Sequence, residues 1–140
     1  MNQKTVLFLC TGNSCRSQMA EAIVNARYPE WRAVSAGTKP AGYVHELAAE
    51  SLREIGISHT GTSKHIDDLP TRDFDLVITV CDSAAEECPV WPGKAGRRIH
   101  HGFVDPAKAE GTLEERRQVF RQVRSQMLEM IPQLLEGSVP

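Results

Sequence analysis

The chain has 140 residues, 41% of them hydrophobic and 24% charged, with a formal net charge of −2; this fits one globular domain, residues 1–140, long enough to bury a core. Lysine and arginine are scattered rather than massed, which argues against a nucleic-acid partner. Met1–Leu9 does not read as a leader and no run is apolar enough to cross a bilayer, so no membrane association and a cytoplasmic location are expected.

In chain order, Thr5-Val6-Leu7-Phe8-Leu9 reads as an apolar strand. It feeds Cys10-Thr11-Gly12-Asn13-Ser14-Cys15-Arg16, and helical periodicity follows from Ser17 to Tyr28. A strand that turns through such a loop into a helix start gathers backbone N–H groups at the positive end of the helix dipole, which makes an anion site. Gly12 and Asn13 are the residue types that best tolerate the left-handed angles of such a loop. A cysteine at its mouth has its thiolate stabilised by the same N–H groups and becomes a nucleophile. Arg16 adds a planar fork for two oxygens of a tetrahedral oxyanion. The expected chemistry is a cysteine nucleophile acting on a phosphate-like anion.

Ala33-Val34-Ser35-Ala36 reads as a second strand closed by Gly37, and Val44 to Ile55 as a helix stopped at Gly56. Ser63 to Asp68 is a short turn or helix ended by Leu69-Pro70. Leu76–Val80, apolar throughout, reads as a central parallel strand, and Arg98-Ile99-His100 as a weak fourth. The last helix starts at a Thr112/Glu115 capping box. Its core stripe runs through Val119, Phe120, Val123, Met127, Met130 or Ile131, and Leu134, and Pro132 is expected to kink or end it. This alternation implies an α/β fold, a three-layer sandwich around a central four-stranded parallel sheet. Ligands bind beyond the carboxyl ends of such strands, so Cys10 and Cys81 are expected on one rim.

Four cysteines in a cytoplasmic chain read as reactive or metal-binding rather than as structural disulfides. The long gap between Cys81 and Cys88 and the scattered histidines argue against zinc. On a continuous helix Cys81 and Cys88 would share a face roughly 10 Å apart, too far for a disulfide without rearrangement. Acidic residues between them suggest an exposed segment, and a further thiol near Cys10 suggests a redox relay. Cys15 reads as a volume-filling residue of the loop. Asp105, in Gly102-Phe103-Val104-Asp105-Pro106-Ala107, is placed to act as general acid.

These features resemble the thioredoxin-coupled arsenate reductases, which share the low-molecular-weight tyrosine phosphatase fold. The likeness is carried by Cys10 through Glu21, Ser35-Ala36-Gly37, Thr79-Val80-Cys81-Asp82, Cys88-Pro89 and Asp105-Pro106-Ala107. It implies that arsenate is held by the amides of Thr11, Gly12, Asn13, Ser14 and Cys15 and by Arg16. It further implies that Cys10 attacks arsenic, Ser17 supports the thiolate and Asp105 protonates the leaving oxygen. Cys81 and then Cys88 pass the disulfide outward to thioredoxin, with no cofactor or metal; a monomer is the default. The alternatives are a tyrosine phosphatase, disfavoured by Ala107 and Lys108 where that family carries aromatic residues, and a non-catalytic oxyanion or redox-sensing module. Some relatives of this type hold potassium beside the loop. Here Lys64 falls on the acidic ligand position, and its ammonium is expected to replace the cation by pairing with Glu21.

Overall fold

The computed structural model describes residues 3–82 and 89–136. The chain forms β1 (Lys4–Leu9), α1 (Arg16–Arg27), β2 (Trp31–Ala36), α2 (Glu46–Arg53), β3 (Asp73–Thr79), β4 (Lys94–His100) and α3 (Leu113–Glu136), with short 3₁₀ turns at Ile66–Asp68 and Pro106–Lys108. The strands make one parallel sheet in the order β2-β1-β3-β4. Leu7 stands opposite Val34 on one side and Val77 on the other. β1 is therefore the strand with neighbours on both sides nearest the chain start, and Val6 to Leu9 are fully buried, as a central parallel strand requires.

One face of the sheet, through Val6, Phe8, Leu76 and Ile78, packs against Met19 and Ile23 of α1, Leu52 of α2 and Phe120, Met127 and Ile131 of α3. The other face, through Leu7, Leu9, Phe74 and Val77, is covered by Ile66 of the first 3₁₀ turn, Trp91 and the partly buried Leu69. The layer there is thinner, because these covering residues belong to irregular chain.

Most expected elements are present with shifted ends. α2 is shorter than the expected helix because the His45 ring nitrogen accepts the Leu47 N–H and caps it there. β4 is longer than expected, from Lys94; as an edge strand it is polar and exposed and so lacks an apolar signal. The capping box of α3 forms in both directions, Thr112 N–H to Glu115 at 3.0 Å and Glu115 N–H to Thr112 Oγ at 3.1 Å. The helix does not end at Pro132 but continues to Glu136. One missing backbone donor is offset there by burial of Ile131, Leu134 and Leu135. Among the described residues no helix is long and apolar enough to cross a membrane.

Phe120 is completely buried, and its ring lies 4.9 Å from that of His45. Phe120→Ala should cost about 3–5 kcal/mol through lost burial and a residual cavity, read as a lowered urea midpoint at unchanged slope.

Candidate active site

Residues 10–15 turn from the end of β1 into α1, and their backbone is held from outside. The carbonyls of Thr11, Gly12 and Ser14 accept the N–H groups of Lys39, Ala41 and His45 at 3.0, 2.9 and 2.9 Å. The Asn13 carbonyl accepts the Gln18 side-chain amide at 3.2 Å, and the Ser63 hydroxyl also reaches the Gly12 carbonyl at 3.3 Å. In a planar trans peptide the N–H points opposite its carbonyl. Four outward carbonyls therefore aim the N–H groups of Gly12, Asn13, Ser14 and Cys15 into the loop. Gly37 permits this approach: a β-carbon there would lie 2.6 Å from the Cys10 carbonyl oxygen.

A buried polar network fixes the loop at Asn13, whose φ is 49°. Its side-chain oxygen accepts the Lys64 N–H at 2.9 Å and the Gln18 amide at 3.0 Å, and its NH₂ donates to the Ser17 hydroxyl at 2.8 Å. The Gln18 NH₂ also reaches the Thr62 carbonyl at 3.0 Å. With its nitrogen committed to acceptors, the Gln18 oxygen accepts from His59 Nε2 at 2.7 Å, so that nitrogen carries the proton. Glu21 accepts the Ser35 hydroxyl at 2.9 Å and faces His59 at 3.8 Å. Burial holds His59 below the ordinary imidazole range, with Glu21 opposing and Lys64 reinforcing the shift.

The other half of the rim comes from β3 and β4. Val80 N–H donates to the Leu9 carbonyl, so Cys81 and Cys10 leave neighbouring strands side by side. Cys81 is buried and disulfide-bonded, whereas Cys10 and Cys15 take part in no disulfide. Phe103 N–H donates to Val80, and the Phe103 carbonyl accepts Arg16 at 3.2 Å. Asp105 divides its oxygens: Oδ1 accepts the Ala107 N–H at 3.0 Å, while Oδ2 lies 3.5 Å from the buried Arg16 guanidinium. Asp105 thus both caps the Pro106–Lys108 turn and pairs with Arg16 beside the loop. Burial pushes the Cys15 thiol up to about 12, with the Ser14 hydroxyl 3.6 Å away opposing the shift. Cys15 is buried within the core cluster beneath the loop.

A domain model described as low molecular weight phosphotyrosine protein phosphatase matches residues 5–137. The arsenate reductase of Halalkalibacterium halodurans is 48% identical over 130 residues, covering 91% of each chain. The chain belongs to this family, within its arsenate reductase branch. Among solved structures, the arsenate reductase of Archaeoglobus fulgidus is 32% identical with a TM-score of 0.68, over 91% of this chain and 98% of that one. A thioredoxin-dependent arsenate reductase of Corynebacterium glutamicum is 25% identical with a TM-score of 0.64, over 96% of this chain and 63% of that one.

The structure brings Cys10 to Arg16, Ser17 and Asp105 together at one end of the sheet, with Cys81 leaving the neighbouring strand beside Cys10. Cys88 lies outside the described residues. Lys64 departs from expectation. Its ammonium donates to the Thr62 carbonyl at 2.9 Å at the surface, and the group beside Glu21 is His59 instead. The lysine's contribution to the loop is its backbone N–H on Asn13. Gln18, His59 and Gly37 carry structural duties that no local sequence signal marks for His59, which reaches α1 from across the fold.

His45, His59 and His101 are all held below the ordinary imidazole range, chiefly by burial. A depressed histidine leaves the unfolded chain binding more protons below its value of about 6.5. The stability these groups contribute is full above that pH and declines as pH falls through the window between the unfolded and folded values. Urea midpoints should fall from pH 8 to pH 5.5, and His59→Gln should flatten the decline.

Proposed function

We propose that this protein reduces arsenate to arsenite through Cys10, Cys81 and Cys88 and is regenerated by thioredoxin, acting as a monomer in the cytoplasm with all 140 residues in one domain. The observation that carries the proposal is the placement of Cys81, a redox-engaged cysteine, beside Cys10 in an anion loop whose amides face inward. Relatives named arsenate reductase at 48% and 46% identity support the substrate, and a thioredoxin-dependent one at 25% supports the reductant.

The inward amides and Arg16 bind the oxyanion. Ser17 accepts the Asn13 amide, which leaves its own proton to donate to the Cys10 thiolate. Cys10 attacks arsenic, and Asp105 protonates the departing oxygen, which leaves as water. Cys81 then attacks the Cys10 sulfur. The S–As bonding pair stays with arsenic, which leaves as arsenite, and a Cys10–Cys81 disulfide forms. Cys88 attacks Cys81, frees Cys10, and leaves a Cys81–Cys88 disulfide for the external dithiol to reduce. A disulfide at Cys81 that leaves Cys10 out supports such a transfer. Phosphate-ester hydrolysis requires only Cys10, Arg16 and Asp105, and gives Cys81 no role.

Cys10→Ser should abolish both arsenite production and hydrolysis of an aryl phosphate. Cys81→Ser and Cys88→Ser should abolish multiple turnover with thioredoxin yet retain the hydrolysis. Thioredoxin-driven turnover surviving in either variant would sink the relay. Asp105→Asn should slow ester hydrolysis by about 10²–10⁴-fold, the span of a lost general acid, with a smaller loss for better leaving groups.

A further inference from the structure

His45 joins the anion loop to two helices. Its backbone N–H donates to the Ser14 carbonyl at 2.9 Å. That carbonyl shares one planar peptide with the Cys15 N–H, so holding the oxygen outward aims the Cys15 donor into the loop. The ring caps α2: Nδ1 accepts the Leu47 N–H at 3.1 Å, and the His45 carbonyl accepts the Ala48 and Ala49 N–H groups at 3.1 Å each. Residue 45 therefore sits where the first turn of α2 places it. The ring also packs on the buried Phe120 of α3, with centroids 4.9 Å apart. Lys39 and Ala41 hold the Thr11 and Gly12 carbonyls by their own N–H groups. Of these three braces, His45 is the one whose side chain titrates near neutrality.

The cap dictates the state of the ring. Nδ1 accepts the Leu47 N–H and is bare, so the proton of the neutral imidazole is on Nε2. A second proton would set an N–H against the Leu47 N–H and a positive charge at the positive end of the α2 dipole. The protonated ring must therefore leave the cap. Space for it exists in a groove of about 330 Å³ that His45 lines with Leu47, Leu113 and Arg116. The charged groups facing the ring are Arg116 of α3, Asp105 and Glu46. Glu50 and Arg117 line the same groove and are paired with each other at 2.8 Å. Burial and Arg116 hold the imidazole below its ordinary range, with Asp105 and Glu46 opposing. We propose that His45 is a positioning residue of the anion loop: its neutral ring, by capping α2, keeps the Ser14–Cys15 peptide with its N–H toward the bound oxyanion, and protonation of the ring releases that donor. The assignment rests on the oxyanion reading given above. Its sign opposes that of the ring's own charge, which alone would strengthen anion binding in acid. The ring is half-buried, where mobile ions screen a charge acting at a distance, whereas a hydrogen bond to an anion acts at contact. Loss of the donor therefore decides the outcome.

The test measures sulfate binding to the Cys10→Ser protein by titration calorimetry from pH 8 to pH 5.5, with folding checked at each pH by circular dichroism. Sulfate keeps its double charge over this range, the substitution removes the Cys10 thiol's own titration, and ordinary carboxylates ionise below it. With His45 intact, affinity should fall by about tenfold as pH falls, the lower end of what one hydrogen bond to a charged group contributes. Adding His45→Asn, which supplies a cap acceptor that does not titrate, should remove the decline. Adding His45→Phe, which keeps a ring against Phe120 but no acceptor, should give the weakened affinity already at pH 8. An affinity that rises in acid only when His45 is present shows the ring acting as a charge alone and overturns the proposal. The same decline with asparagine as with histidine, or undiminished binding by His45→Phe at pH 8, also overturns it. Should His45→Phe not fold, the pH profiles with histidine and with asparagine decide it. Failure of the oxyanion reading looks different: no sulfate binds at pH 8 with His45 intact, and this proposal falls with it.

Discussion

Asn13 sits in the left-handed region at a φ of 49° while only 1% exposed, a conformation that costs a non-glycine residue energy and must be held by its surroundings. Its amide is engaged at both ends, by the Lys64 backbone and Gln18 on the oxygen and by Ser17 on the nitrogen. The bend at Asn13 is what turns the loop carbonyls out to Lys39, Ala41 and His45 and the amides inward. Without it there is a strand and a helix but no concave array of donors. Glycine would adopt the backbone angle more readily and would lose all three side-chain bonds. Asparagine is the residue that satisfies both demands.

Around that bend the buried charges come in compensated sets. Arg16 is neutralised from one side by Asp105 and anchored by the Phe103 carbonyl, so the guanidinium is held in place before any anion arrives. Glu21 is satisfied by the Ser35 hydroxyl and faced by His59. His59 in turn orients Gln18, and Gln18 bonds both the Asn13 backbone and its side chain. The ionisable groups behind the loop thus act on its shape, whereas Arg16 and Asp105 pair with each other at its other side.

The Cys10–Arg16 loop and the Asp105 turn were legible because each is encoded locally: turn residues between an apolar strand and a periodic helix, and an Asp-Pro after the last strand. The alternation of strands and helices gave the parallel sheet for the same reason. β4 was nearly invisible because an edge strand made of Lys94, Ala95, Gly96, Arg97 and Arg98 carries no apolar pattern; its place is set by pairing with β3 and by arginine bonds to carbonyls of other segments. The role of Lys64 was misread because sequence position predicts where a backbone passes better than where a long flexible side chain goes. His59 was missed because its partners lie more than 35 residues away, and no local rule relates them.

The braces of the anion loop all come from later in the chain: Ala36, Lys39, Ala41 and His45, then Ser63 and Lys64, and finally Phe103 and Asp105 against Arg16. During synthesis at about 5–20 residues per second, roughly 5–20 s separate the appearance of Cys10 from that of Asp105. Throughout that interval Cys10 lacks the donors that surround it in the finished molecule, and its thiol is that of an ordinary cysteine in a flexible peptide. The environment of its sulfur is a product of tertiary assembly and not a property of the local sequence. The loop around Cys10 therefore reaches its final shape only when nearly all of the sheet is in place.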